Sequence, residues 1–371
     1  MKIEWKHKPF EDCIQRVTYT AKVQRKDFLT EGAYPIVSQE EDFINGYWDN
    51  EDDAFKVTTP VVVFGDHTKI LKYVDFDFVL GADGVKILQP RDFLLPKFLF
   101  YQLQGANLDS LGYARHYNLL KELEIVYPTH LEQRRIVGIL DEASEGIATA
   151  KANAEKNLQN ARALFESHLH SVSTQRGPGW AEKKLSEVCA ITSTLVDPRK
   201  KEFLDLTHVG AGNIESKTSF FVDLKTAREE GLISGKFLFD ESMVLYSKIR
   251  PYLMKVARPD FSGLCSADMY PLAPFPKEIT RDYLFHLLLS KDFTDYAIQG
   301  SARAGMPKVN REHLFEFKVW LPAVKKQKEL ATKLDRLHEE TQRLAKIYDR
   351  KLTALEELKK SLLHQAFTGK I

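Results

Sequence analysis

The sequence predicts an α+β protein made by internal duplication. Two tandem α+β globular units are each followed by a long helix, and the two helices pair antiparallel within the chain about a pseudo-twofold axis. Two observations carry this. Residues 131–141, LEQRRIVGILD, are echoed at 325–335, KKQKELATKLD. The identities run without a gap at an offset of 194: Pro128 over Pro322, Gln133 over Gln327, Leu140-Asp141 over Leu334-Asp335, and Leu158, Leu164, Ser167, Leu169 and His170 over Leu352, Leu358, Ser361, Leu363 and His364. Ahead of each helix, short β-rich runs separated by turn signals (TPVVVFGD, KYVDFDFVL, SMVLYSKI, FEFKVWLP) mark strands. Their order also recurs. VVVFGDHTK (61–69) lies over MVLYSKIRP (243–251), FVLGADGVKIL (78–88) over GLCSADMYPL (263–272), KFLFYQL (97–103) over DYLFHLL (282–288), and EWKHKPFEDC (4–13) over GWAEKKLSEVC (179–189). The offset drifts here, as insertions and deletions between two diverged copies would make it do.

Composition bounds the rest. At 371 residues the chain exceeds one ordinary core. With 43% apolar and 28% charged residues it has a globular make-up. It lacks an apolar run long enough to span a bilayer and an N-terminal signal core, and Cys13, Cys189 and Cys265 form no CxxC pair; a cytoplasmic protein without a zinc site is expected. A formal net charge of +1 means that any surface for nucleic acid is a local patch, offset by acidic stretches such as DNEDDAF (49–55), and that the isolated chain should bind DNA weakly and salt-sensitively.

The expected organisation is a first unit over 1–128, a first helix over 129–172, a linker and second unit over 173–322, and a second helix over 323–371. Thr129-His130-Leu131-Glu132 after Pro128 has the form of a capping box. Gly177-Pro178-Gly179 cannot continue a helix and closes the first copy. In the second helix a heptad seam is expected at Leu330, Leu334, Leu337, Leu344, Tyr348, Leu355, Leu358 and Leu362, with Thr341 and Lys351 in the gaps. The first helix matches with Ile136, Leu140, Ala143, Ile147, Ala150, Ala154, Ala161 and Leu164, interrupted by Asn157 and His168. An Ala-thin seam suits a Leu-thick one, so the helices are expected to pack on each other rather than only on their own units. Asn157 and Lys351 would fix the register, and Gly146 costs the first helix about 1 kcal/mol relative to Ala.

The polar loops of both units suit DNA. Arg reads guanine edges, Asn and Gln read adenine, and Lys holds phosphates. Candidates in the first unit are Gln39, Asn45, Tyr47, His67, Lys69, Arg115, His116 and Asn118; in the second, Lys248, Arg250, Tyr252, Arg303, Lys308 and Asn310. GYAR (112–115) and GSAR (300–303) fall at the same place in each copy. Taken singly, each residue is equally a solvated loop residue of any α+β domain; their recurrence in both copies favours a recognition face. Catalytic patterns are missing. GLISGKF (231–237) departs from a phosphate-binding loop in spacing, EFK (316–318) lacks an acidic partner for nuclease chemistry, and GDH (65–67) reads as a turn with a capping Asp.

A tandem of α+β units, each leading into a helix that opens P-x-x-x-[EK]-Q-[RK]-x-[IL], resembles the specificity subunit of Type I restriction–modification systems. YPTHLEQRRIVGILD, LPAVKKQKELATKLD and the ending LKKSLLHQAFTGKI carry the resemblance most specifically, with LYSKIRPYLMKV and VVVFGDHTKILKYVDFDFVLGADG more loosely. It covers essentially the whole chain. It implies that each unit is a target recognition domain reading one half of a split DNA sequence. The helices would set the spacer and dock two modification subunits, which bind S-adenosylmethionine and methylate adenine. A restriction subunit using ATP and Mg would complete a phage-defence complex, and this chain would carry no cofactor. Other classes stay open: a coiled-coil scaffold that binds protein only, or a nuclease or methyltransferase in its own right.

Overall fold

The computed structural model describes residues 4–81, 84–109, 111–112, 114–301 and 306–371. These divide into two compact units, Met1–Ala154 with Lys351–Ile371, and Glu155–Arg350. Each unit therefore takes a portion of both long helices, and the boundary does not fall where the globular segments meet them.

In the first unit the strand Val61–Gly65 is buried throughout, because its run of β-branched residues is covered on both faces. It pairs antiparallel with Val85–Pro90 on one side and Leu71–Val74 on the other, Val62 facing Leu88 and Tyr73. A second sheet centres on Phe78–Gly81, flanked in parallel by Lys22–Val23 and Tyr34–Val37, with Gly46–Trp48 beyond. Lys6–Pro9 pairs with Glu124–Tyr127 just before the first long helix. The helix Pro96–Gly105 starts with proline in its first turn, where no amide donor is needed.

The second unit repeats these elements in order. Val244–Ser247 lies between Met269–Pro274 and Val256–Ala257, with Val244 facing Leu272. Gly263–Cys265 runs parallel to Thr207–Val209 and antiparallel to Lys236–Phe239. Ala181–Lys184 pairs with Lys318–Leu321 before the second long helix. The short helix is Arg281–Leu288, capped by Thr280, whose hydroxyl accepts the Tyr283 amide at 3.2 Å.

The long helices are His130–Thr174 and Val324–Phe367, of 45 and 44 residues. Within the first unit they run in opposite directions. Arg135 donates to the Ile371 carbonyl at 2.8 Å, and Lys151 pairs with Glu356 at 2.7 Å. Both also enter the unit's core, Ile136, Leu140, Leu363 and Ala366 packing with Phe98 and Leu99. In the second unit Phe165 and Leu169 meet Leu330, Ala331 and Leu334 among Leu284 and Leu288. Helix-on-helix and helix-on-unit packing thus occur together. After Thr174 the chain turns, Trp180 donating to the Gly177 carbonyl at 3.1 Å with Gly179 at φ +81°, and enters the strand at Ala181.

The seam differs from the heptad expectation in its later turns. Ile136, Leu140, Leu330 and Leu334 are buried, and Ile147, Leu337, Leu344, Tyr348, Leu355 and Leu362 are half-buried. Leu164 and Leu358, however, stand 50% and 47% exposed, and Asn157 and Lys351 face solvent. Ala154 and Ala161 stay buried where expected, but beside them the covered positions are one residue on: Leu158, Phe165 and Leu169, and Leu352, Lys359 and Leu363. A straight α-helix drifts about 20° per heptad from a 3.5-residue repeat, so after three or four heptads the buried stripe has moved by most of a residue. Asn157 and Lys351 are accordingly not placed to fix a register. At the helix start, Glu132 accepts from Arg135 at 2.9 Å.

The echoed Gln and Asp anchor each long helix to its own unit. Gln133 is fully buried; its Oε1 accepts the Leu95 amide at 2.8 Å and its Nε2 donates to the carbonyls of Phe93 and Pro128 at 2.9 and 3.0 Å. Gln327 repeats this with the Thr280 amide at 2.9 Å and the carbonyls of Glu278 and Pro322 at 2.8 and 2.9 Å. Asp141 accepts from Lys97 at 2.8 Å and Tyr101 at 2.6 Å on the short helix. Asp335 accepts from His286 at 2.8 Å and Arg258 at 2.7 Å.

Candidate nucleic-acid interface

In the first unit the loops 38–45 and 65–70 and residues 114–118 converge at one end of the strand Val61–Gly65. Asp66, 2% exposed, ties them together: its amide donates to the Gly84 carbonyl at 2.7 Å, and its carbonyl accepts the His116 amide at 2.7 Å. Its carboxylate accepts the Tyr117 amide at 2.7 Å. Gln39 joins loop 38–45 to this group, its Oε1 accepting the His67 amide at 3.2 Å and its carbonyl the Thr68 hydroxyl at 2.6 Å. Gly84 is required here twice over. Its φ is +94°, and a Cβ would lie 2.7 Å from the Gln39 Oε1 and 2.9 Å from the His67 ring.

The second unit builds the same junction with the same backbone bonds. The Lys248 amide donates to the Asp268 carbonyl at 3.1 Å, and its carbonyl accepts the Val309 amide at 2.8 Å. The Arg250 amide adds a bond to the Pro307 carbonyl at 2.9 Å. Arg250 sits at φ +49°, ψ 62°, a left-handed conformation that costs an L-residue about 1–2 kcal/mol and is typical of functional loops.

The sequence candidates separate on this frame. Arg115, Asn118, Arg250, Tyr252 and Lys308 stand exposed at the loop surface, Tyr252 half-exposed at 50%. Gln39, His67 and Tyr47 are half-buried, Tyr47 within Gly46–Trp48 and bonded through its backbone to Leu29. Other candidates are spent inside the fold. His116 is 1% exposed: its Nε2 accepts the Leu111 amide at 3.0 Å, which puts the ring proton on Nδ1, donating to the Asp66 carbonyl at 3.0 Å. Asn45 uses its Oδ1 on the Ser38 amide at 2.9 Å and the Lys72 ammonium at 3.1 Å. Asn310 caps Arg311–Phe315 through the His313 amide at 2.7 Å. The Lys69 ammonium donates to the Leu108 carbonyl at 3.2 Å. Lys248, its side chain only 13% exposed, donates to the Ala267 carbonyl and lies over the Tyr270 ring. Burial and the neighbouring Lys308 push its pKa down, against Asp268. Arg303 lies outside the described residues, as do Tyr113 of GYAR and the Ala82-Asp83 match.

Lys72 was not legible as part of the site. It sits within KYVDFDFVL, reads as a strand surface residue, and is 4% exposed. The Gln and Asp anchors were visible as identities, but spacing alone did not show their role. Elsewhere, Glu316 and Lys318 of EFK pair across the edge strands with Lys184 at 2.7 Å and Glu182 at 3.4 Å. Lys236 of GLISGKF is buried and donates to Ser234. Among the described residues no cluster of His, Cys, Asp and Glu is placed to hold a metal, and no helix is long and apolar enough to cross a membrane.

Comparison with known proteins gives the class. The family model "Type I restriction modification DNA specificity domain" matches residues 178–349. The specificity subunit of the Escherichia coli Type I restriction enzyme EcoDI is 30% identical over 258 residues, covering 66% of this chain and 57% of that one, so the match spans little more than half of that relative. A chain from a structural study of complex assembly and conformational transition in the type I R-M system superposes with a TM-score of 0.68 at 16% identity, over 100% of both chains. The crystal structure of the HsdS subunit from Thermoanaerobacter tengcongensis gives 0.52 at 17% identity, over 99% of this chain and 97% of that one. The second unit thus carries the sequence of a DNA specificity domain, and the whole chain has the fold of these solved structures. Residues 178–349 match that specificity domain, and over about two thirds of its length the chain is similar to a Type I specificity subunit.

Proposed function

We propose that this chain is a non-catalytic DNA-reading subunit whose two recognition domains each read one half of a bipartite, asymmetric target. One observation carries this: the same loop junction is built twice, by matching backbone bonds around Asp66 and Lys248, and each copy presents exposed Arg beside polar side chains. The paired long helices serve as an antiparallel intramolecular coiled coil that sets the spacer and docks two modification subunits. Those partners supply S-adenosylmethionine-dependent adenine methylation, and a restriction subunit supplies ATP- and Mg-dependent cleavage. The work of this chain is positioning, inside the cell, on double-stranded DNA.

Arg250→Ala in the complex with modification subunits tests the reading. Duplexes altered in one half-site at a time should show about tenfold or greater loss of discrimination in one half and none in the other, since a good bidentate base contact is worth about 1–3 kcal/mol. Equal loss at both halves in a folded protein contradicts the two-reader assignment.

A further inference from the structure

We infer that Lys72 is a specificity-positioning residue of the first unit, its buried ammonium holding loop 38–45 in the shape presented to DNA. The inference rests on the DNA-reading function proposed above. Lys72 lies on Leu71–Val74, the edge strand of its sheet, opposite Val63. Its ammonium donates to the carbonyls of Asp42 and Phe43, the latter at 3.3 Å, and to the Asn45 Oδ1 at 3.1 Å. All these acceptors come from one loop, and they match the ammonium's three donors.

The same Asn45 oxygen takes the Ser38 amide at 2.9 Å, its Nδ2 donates to Glu40 at 3.4 Å, and Glu40 pairs with Arg25 at 3.0 Å. The ammonium is thus the hub from which the loop's shape follows, and Gln39 on that loop leads directly into the junction with His67 and Thr68.

Fold stability gives no reason for an ammonium here. Its contacts are neutral oxygens, and the carboxylates of Glu40 and Asp42 act only from a distance. Burial pushes the pKa down to about 8 despite them. An apolar side chain of the same length would avoid that desolvation, and the acceptors it abandons lie on a loop whose Asp42 and Phe43 are exposed, where water can replace the ammonium. The matching strand position of the second unit shows the alternative. Leu245, which corresponds to Val63, faces Ala257, a fully buried residue. No ammonium stands at this strand position in the second unit, where Lys255, two residues earlier, makes a separate bond to the Ala211 carbonyl at 2.6 Å, so loss of Lys72 should affect one half-site.

Lys72→Met in the full chain, assembled with modification subunits, separates positioning from stability. Discrimination at the first unit's half-site should fall about tenfold or more, discrimination at the other should hold, and the melting midpoint should stay level or rise. In the unsubstituted protein the pH profile should split likewise. The folded pKa lies below the unfolded one, so from pH 8 towards 10.5 this group adds stability with rising pH, while first-half discrimination declines. Discrimination by Lys72→Met equal to the parent's overturns the inference, as does equal loss in both halves or loss accompanied by a lower melting midpoint. If the unsubstituted complex shows no half-site preference, the DNA-reading proposal falls and takes this one with it; a preference kept in both proteins removes this one alone.

Discussion

Gln133 and Gln327 show how much a single side chain can settle. Each is buried, and each closes the space between a long helix and the loop before a short helix with an accepted amide and donated carbonyl bonds. Replacing either with Ala strands those backbone groups away from water. Each buried unsatisfied group costs about 1–3 kcal/mol, so Gln133→Ala or Gln327→Ala should destabilise its own unit by about 2 kcal/mol or more, read as a lower urea midpoint. Asp335 brings a pH dependence. Burial alone would raise its pKa, but hydrogen bonds from His286 and Arg258 overcome this and hold it at about 2. A depressed carboxylate stabilises above its unfolded pKa and loses that contribution as pH falls through the folded one. The second unit should therefore lose about 2 kcal/mol between about pH 4 and pH 2, and Asp335→Asn should flatten that part of the denaturation profile. His286 pulls in the same direction from higher pH, since burial lowers its pKa and keeps it neutral. Its proton rests on Nε2, donating to Asp335, and Nδ1 is left buried without a partner. The repeat exposed these positions because identity survives where geometry is repeated. It could not expose Lys72 or distinguish buried His116 from exposed Arg115. Those depend on which loop folds over which strand, and that is decided by contacts far apart in the chain.

At the scale of elements, the helices and most strands were legible because their periodicity is sustained. Val61–Gly65 and Val244–Ser247 fall within the β-rich runs, and the long helices begin where the Pro and Thr signals place them. The seam was legible for its first heptads and afterwards only in part, at Ala154, Ala161, Leu355 and Leu362, because a heptad template assumes a supercoil that keeps pace with the 3.5-residue repeat. Leu164 and Leu358 are exposed for that reason, and Phe165 and Leu363 carry the packing. The proposed spacer function gives this stretch a direct test. Removing seven residues from 143–157 of the first helix and seven facing residues from the second shortens the pair by about 10 Å at 1.5 Å per residue, roughly three base pairs of DNA. The expected outcome is a shorter gap between unchanged half-sites, measured by the positions of methylated adenines. An unchanged gap in a folded variant would remove the ruler from the account.

For the molecule as a whole, a formal net charge of +1 leaves little general attraction for DNA. Under the proposed function, binding would rest on local groups such as Arg115 and Arg250 and on surface that partner subunits add. Duplication explains why one chain carries two sets of such groups: two units of related fold, diverged in their loops, can read unlike sequences. Here the first unit carries a buried ammonium where the second has Ala257. The most direct measurement is to map methylated adenines in DNA from cells expressing this chain with its modification subunits. The expected outcome is modification within a two-part sequence whose halves differ and are separated by a fixed gap. A contiguous or single-part motif, or a methylation pattern independent of this chain, would contradict it.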